Sequence, residues 1–302
     1  MIKSFQDLVL QTQQRSRKSR MAVANAHEKH TIESVIHARK DGLIQPILVG
    51  VEDTIRQLLA EEQEDSALYR IVDAEDGVAS ARCAIQLIRN GEADILMKGA
   101  IETGPLMKEV LNRDTGLNRG VRCSLIGTYE IPGYHKILAI NDVGMNTYPD
   151  LAGKRDILLG AVELMHSLGV LCPKVAVLSA VEKINPKMPD TVDGDALKTM
   201  WQNGEFPECI VEGPISFDLA TRKEAAEIKH YSSPVAGDAD ILIVPDIVSG
   251  NVLAKALTGF ANAKTAGIVV GAKVPVVLSS RSAQVADKYY SIALAAYAAG
   301  KN

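Results

Sequence analysis

The sequence predicts an α/β protein built on a mostly parallel sheet with helices on both faces. Three observations predict it. Short apolar runs recur between longer stretches whose apolar residues fall at helical spacing. Of 302 residues, 47% are hydrophobic but only 4% aromatic, so the core is built mainly from Ala, Val, Ile and Leu. That aliphatic richness suits parallel strands buried on both faces. Polar residues and glycines gather just after the strand-like runs, where open parallel sheets bind ligands. A chain of this length forms one large domain or two smaller ones sharing a cleft.

The elements come in a regular order. MAVANA (21–26), PILVG (46–50), YRIVDA (69–74) and ADILMKG (93–99) read as the first strands. Between them, HTIESVIHARKDG and EDTIRQLLAEEQED read as helices; Ile32, Val35 and Ile36 share one face of the first, and Gly42 serves as its C-cap. The run 122–142 holds two strand-like pieces around Pro132 and Gly133, an antiparallel excursion at the junction between two lobes. Alternation then resumes with helix 156–169, strand 174–180, helix 191–204, strand 209–214, strand 240–245 and helix 251–260. Strands near 267–270 and 274–278 and a helix over 283–299 close the chain.

Charge and cysteine usage exclude several classes. The net charge of −4 leaves no electrostatic footprint for nucleic acid, which needs clustered cations. The basic run QQRSRKSR before the first strand reads as a solvated helix face. No secretory apolar segment opens the chain and no apolar run is long enough for a bilayer, so a soluble cytoplasmic protein is expected. Cys83, Cys123, Cys172 and Cys209 form no CxxC pair and read as small buried hydrophobes in a reducing compartment.

The strand ends worth inspecting are Lys98-Gly99, Asn141-Asp142, Ser179 with Glu182, Glu212-Gly213-Pro214, Pro245-Asp246, Ser249-Gly250-Asn251 and Ser279-Ser280-Arg281. No G-x-G occurs, so the dinucleotide fingerprint is missing, as are the P-loop and the G-x-S-x-G elbow. The six histidines show no metal spacing, and Asp190, Asp193 and Asp195 read as carboxylates of a helix start. The strongest constellation is PVVLSSRSAQVAD at 275–287. There a buried strand ends in two hydroxyls and Arg281, whose planar fork suits phosphate oxygens. Asp287 lies seven residues after Ser280, the spacing of two helical turns. Such a set suits transfer to a nucleophile that must lose a proton, and it also describes an ordinary capped helix.

Several longer runs make the chain recognisable: ADILMKGAIETGPLMKEVL (93–111), INDVGMNTYPDLAGKRDIL (140–158), VAVLSAVEKINPKMPDT (175–191), VEGPISFDLA (211–220), SPVAGDADILIVPDIVSGNVLAKAL (233–257) and VPVVLSSR (274–281). On these runs the sequence resembles the phosphate acetyl/butyryltransferase family from about residue 21 to 298, most of all its compact butyryl branch. The resemblance implies a two-lobed, three-layer α/β/α fold of the isocitrate/isopropylmalate dehydrogenase type with an interlobe cleft. By that analogy the first lobe is 1–142 plus 282–302 and the second 143–281. It implies exchange of an acyl group between coenzyme A and phosphate by direct transfer in a ternary complex, with acyl-CoA, phosphate and acyl phosphate as substrates and no tightly bound cofactor or metal. Ser280 matches the serine that stabilises charge on the attacked carbonyl, Arg281 the phosphate-holding arginine, and Asp287 the aspartate proposed to take the thiol proton. Lys98, Arg119 and Arg122 are candidates for phosphate by position, with plain surface charge as the alternative. Gly250 and Asn251 start a helix and suit a phosphate or carbonyl contact, or simple capping by Asn251. Thr103, Asp142 and Asn146 match patterned family positions. A homo-oligomer, a dimer or a multiple of dimers, is expected from the family.

Rival readings keep the fold and change the chemistry. A metal- and NAD-dependent dehydrogenase needs an aspartate cluster that the sequence does not display. Acetyl or branched acyl groups compete with butyryl, because one methylene in an apolar pocket changes binding by only about 1–3 kcal/mol. A two-lobed binder without turnover is the non-enzymatic rival, and Ser280, Arg281 and Asp287 argue against it.

Overall fold

A computed structural model describes residues 2–280 and 283–300. The chain divides into two compact units, the first made of Phe5–Val121 with Ala266–Asn302 and the second of Met1–Ser4 with Arg122–Thr265. The lobes expected from the sequence change over later in the chain at both junctions, at 142/143 and 281/282. Pairing accounts for the difference at the first junction. The antiparallel excursion at 122–142 is bonded to a strand of the second unit, so it belongs there.

The first unit opens with α1 (Phe5–Gln13), which buries Phe5, Leu8 and Thr12. Four βα repeats come next: β1 (Ser19–Ala24), α2 (Lys29–Lys40), β2 (Ile44–Gly50), α3 (Glu52–Glu61), β3 (Arg70–Asp73), α4 (Gly77–Arg89), β4 (Ile95–Lys98) and α5 (Thr103–Val110). The basic run is not a helix face: α1 ends at Gln13, and Ser19 and Arg20 already belong to β1. Ile32, Val35 and Ile36 are buried on α2 as their spacing requires. Gly42, at φ +67°, follows that helix and donates its N–H to the Arg39 carbonyl at 2.9 Å. Helices α4 and α5 have no counterpart in the sequence reading. The period of α4 is nevertheless plain, with Ala81, Ala84, Ile85 and Ile88 buried on one face, and its N-cap Asp76 accepts from the Val78 and Ala79 N–H groups.

The second unit contains β5 (Ser124–Glu130), β6 (Leu138–Asn141), α6 (Leu151–Ser167), β7 (Lys174–Leu178), α7 (Pro189–Gln202), β8 (Ile210–Ile215), α8 (Phe217–Thr221), α9 (Lys223–Ile228), β9 (Ile241–Ile243) and α10 (Ile247–Phe260). The chain then returns to the first unit through β10 (Lys264–Val270), β11 (Val276–Val277) and α11 (Val285–Ala299).

Each unit has its own strand order. In the first it is β3-β2-β1-β4-β11-β10, parallel except for β10 against β11. In the second it is β5-β6-β9-β7-β8, parallel except for the β5–β6 hairpin. The expected hairpin around Gly133, which has φ +90°, is therefore present. Leu138, Ile140, Ala176, Leu178, Ile215, Leu219 and Leu242 pack as one core within the second unit, supplying the aliphatic interior that composition demands.

One close approach fixes how β4 ends against β1. The Gly99 N–H donates to the Ala24 carbonyl at 2.8 Å. A Cβ at Gly99 would lie 2.1 Å from the Asn25 carbonyl oxygen and 2.8 Å from that of Ala24. Both obstacles are backbone, so neither can swing aside. Gly99→Ala is expected to destabilise the protein by about 3 kcal/mol or slightly less, read as a lower melting midpoint. Gly104→Ala, with nothing within 4 Å of the added carbon, is the control and is expected to melt at or above the parent midpoint.

Candidate active site

In the first unit the carboxyl ends of three neighbouring parallel strands stand side by side. Ala24 of β1 pairs with Lys98 of β4, and Met97 pairs with Val277 of β11. The residues at and just beyond these strand ends therefore share one edge: Asn25 to Glu28, then Lys98, the last residue of β4, to Ala100, then Ser279 and Ser280. Lys98 is not a surface charge. It is buried, and its Nζ donates to the carbonyls of Gly99 at 3.2 Å and Ile101 at 3.1 Å, which holds the turn into α5. Thr103 is half-buried at the first position of α5.

Ser280 is exposed beyond β11, and its carbonyl accepts from the Ala283 N–H at 3.1 Å. Arg281 lies outside the described residues. The seven-residue spacing from Ser280 to Asp287 is not two helical turns, because α11 begins only at Val285. Asp287 is instead the third residue of that helix and half of a capping box with Gln284. Its carboxylate accepts the Gln284 N–H at 3.2 Å. Burial pushes the Asp287 carboxyl up and outweighs the opposite pull of that N–H.

The next residue, Lys288, is 1% exposed. Its Nζ donates to both oxygens of Glu28, at 2.8 and 2.9 Å, and to the Thr31 hydroxyl at 3.1 Å. Thr31 in turn donates to Glu28 at 2.6 Å. Burial pushes the Glu28 carboxyl up, but the bonds from Lys288 and Thr31 and the charges of Lys288 and Lys98 outweigh it and hold it below its usual range. The sequence reading missed Glu28, Thr31 and Lys288. The only signal was a lysine in the otherwise apolar and aromatic stretch KYYSIALAAY.

In the second unit the structure gathers five of the residues singled out from sequence. Asp142 follows β6, is 2% exposed, and accepts from the N–H groups of Gly144 (2.8 Å), Met145 (2.9 Å) and Asn146 (3.0 Å). The Asn146 side-chain amide donates to the same carboxylate at 2.5 Å and to the Cys123 carbonyl at 2.9 Å. The Arg122 guanidinium lies 3.4 Å from Asn146 Oδ1 and 3.8 Å from Asp150, the N-cap of α6. Gly250 sits where a Cβ would come within 2.2 Å of the Asp142 carbonyl oxygen, and the Asn251 side chain donates to the Val143 carbonyl at 3.2 Å.

Neither Gly250 nor Asn251 starts a helix. Asp246 caps α10 by accepting from the Ser249 N–H, and Gly250 and Asn251 fall in the second turn. Asn251 therefore tethers the Asp142 loop rather than capping. Lys98, Thr103, Ser280 and Asp287 belong to the other unit.

Other strand-end polar residues of the second unit are paired among themselves. Ser179 donates to Asp190, Ser216 to Glu182, Lys198 to Glu212 and the buried Lys154 to Asp193. Arg119 is exposed. Among the described residues no group of three or more His, Cys, Asp or Glu is placed to hold a metal ion. None of the described helices is long and apolar enough to cross a membrane. Cys172 is exposed and Cys83 only half-buried, so the reading of all four cysteines as buried hydrophobes holds for Cys123 and Cys209 alone.

Fold and strand ends together define an α/β protein that presents hydroxyl, basic and carboxylate side chains at the carboxyl ends of parallel strands. The chain belongs to the phosphate acetyl/butaryl transferase family, which it matches over residues 78–296. It is 39% identical to the phosphate butyryltransferase of Clostridium acetobutylicum over 300 residues, 99% of each chain. It is 44% identical to the phosphate acetyltransferase of Rhizobium meliloti over 278 residues, 92% of this chain and 88% of the other. Among solved structures, a branched-chain phosphotransacylase from Enterococcus faecalis V583 superposes with a TM-score of 0.83 at 35% identity, covering 93% of this chain and 99% of that one.

Proposed function

We propose that the protein catalyses butyryl-CoA + phosphate = butyryl phosphate + CoA by direct transfer, with both substrates bound together. The single observation that carries the reading is the half-buried Asp287, whose carboxyl burial makes a stronger base, at the start of the helix that follows β11 and the Ser279-Ser280 pair just beyond that strand. A coenzyme A thiol is mostly protonated at neutral pH, and the thiolate is the nucleophile. Asp287 takes the proton as sulfur attacks the acyl carbonyl carbon. The negative charge that develops on the carbonyl oxygen is stabilised by Ser280. The bond from acyl carbon to phosphate oxygen then breaks, the thioester remains, and phosphate leaves, held by Arg281.

The remaining candidates divide by setting. Arg122 is exposed, and Asn146 and Thr103 are half-buried, so these side chains can meet a substrate. Lys98, Asp142 and Gly250 are buried and serve by shaping the strand ends, and Asn251 ties down the Asp142 loop. Coenzyme A and phosphate act as substrates, with no cofactor held tightly. The protein works in the cytoplasm as a homo-oligomer, a dimer or a multiple of dimers, without nucleic acid or membrane partners. The likeness to an acetyltransferase and to a branched-chain phosphotransacylase supports a second reading in which acetyl or branched acyl groups are preferred.

The test is thiol release from butyryl-CoA with and without inorganic phosphate, repeated with acetyl-CoA and isobutyryl-CoA. Phosphate-dependent release favouring butyryl-CoA is expected. A preference for acetyl or isobutyryl moves the assignment to the second reading, and absence of phosphate-dependent release from all three overturns the transferase.

A further inference from the structure

We propose that Lys288, clamped by Glu28 and Thr31, is a positioning residue that fixes the first turn of α11 and with it the direction in which Asp287 points. The inference rests on Asp287 being the base.

Glu28 is the N-cap residue of α2, yet its side chain makes no cap bond to that helix. A carboxylate at an N-cap ordinarily accepts from the N–H groups of the first turn. Here both its oxygens are given to Lys288, and Thr31 of the same first turn completes the set. Lys288 spends its three donors on these three acceptors while 1% exposed, so its head group has one position. Successive residues on a helix are 100° apart. Pinning Lys288 against α2 therefore sets the azimuth of Asp287.

A second tie lies one turn on. The Ser291 hydroxyl donates to the Asp287 carbonyl at 2.7 Å and accepts from the Gly267 N–H of β10 at 2.9 Å. Rotation of the turn about either tie is blocked by the other. The bond that Asp287 makes for itself, to the Gln284 N–H at 3.2 Å, is long. The carboxylate is thus placed by its neighbours and stays available to a thiol.

The experiment compares Lys288→Met, Lys288→Arg, Glu28→Gln and Asp287→Asn with the parent enzyme, following thioester formation from butyryl phosphate and CoA between pH 6 and 9. A misplaced base costs about 10- to 100-fold in rate. Lys288→Met is expected to lose that much kcat near pH 7 with KM for butyryl phosphate within about twofold. The deficit should narrow toward pH 9, because free thiols ionise with a pKa of about 8.5 and then need no base. Lys288→Arg is expected to recover most of the rate, since a guanidinium can still bridge to Glu28. A general loss of structure would lower the rate equally at every pH, which is how the two are told apart. If Lys288→Met does not fold, the same pH profile of Glu28→Gln, which keeps side-chain shape, decides. Parent-like kcat and pH dependence in a folded Lys288→Met overturns the positioning role while leaving the base intact. A parent-like Asp287→Asn overturns the base itself, whatever Lys288 does.

Discussion

Asp287→Asn is expected to lower the rate of thioester formation from acyl phosphate and CoA by about 10²- to 10⁴-fold near pH 7, the usual worth of a positioned general base. The substitution isolates chemistry from folding. Asparagine keeps an oxygen that can accept the Gln284 N–H, so the capping box survives. Burial raises the Asp287 carboxyl above its ordinary value of 3.8, which moves the acid limb of the parent's pH–rate profile upward by the same cause. The variant should lack that limb and gain rate as the thiol ionises by itself at alkaline pH. Stability runs the other way. A carboxyl whose pKa is higher folded than unfolded binds more protons in the native state, so its contribution falls as pH rises from the unfolded to the folded value. At pH 7 the ionised group is a cost that asparagine does not carry. The variant should melt no lower than the parent there, and a lower midpoint together with the rate loss would mean that Asp287 is chiefly a cap.

Asp142→Ala is expected to cost about 3–5 kcal/mol, because the carboxylate is the common acceptor for four backbone N–H groups, that of Leu125 the longest at 3.4 Å, and for the Asn146 amide. Removing it leaves those donors without a partner at a buried site. For a unit of this size the thermal midpoint should fall by roughly 6–20 °C. Asp142→Asn keeps one oxygen but replaces the other by a donor facing donors, and should lose about half as much. The Asn146 and Arg122 side chains are held through the same loop, so the KM for phosphate should rise in Asp142→Asn with little change in kcat. Thermal unfolding and initial rates over a phosphate series check both parts. A parent-like midpoint in Asp142→Ala would show that the loop keeps its shape by other means.

Much of the architecture was legible because period and composition report burial. Ile32, Val35 and Ile36 announced α2, and Gly42 announced its end. The 122–142 hairpin was visible from two apolar runs around Pro132 and Gly133. Helix α4 was passed over although Ala81, Ala84, Ile85 and Ile88 stand at helical spacing, so its period was present in the sequence and went unread. The start of α10 was misplaced because Asp246, its true cap, stands next to Pro245 and reads as the end of a strand.

The candidate site divides in the same way. Sequence picked out Asp142, Asn146, Gly250 and Asn251 as separate positions, spread over more than a hundred residues. Only β6 pairing with β9 brings them together, and only then is Gly250 seen to be small because Asp142 lies against it. Lys98 read as a phosphate candidate with surface charge as the alternative, but the strand that carries it is buried and its ammonium turns back onto carbonyls.

The sequence by itself determined the α/β class, the order of most strands and helices, the family, and the strand ends at which chemistry is sought. Those properties are local or additive: a hydrophobic period, a turn residue, a run matched in order along the chain. The tertiary structure alone decided that Glu28 meets Lys288 across 260 residues of chain, that burial pushes the Asp287 carboxyl up, and that Asp142 is the knot of its loop. Those depend on distance and on exclusion of water, which no stretch of sequence carries until the strands have paired.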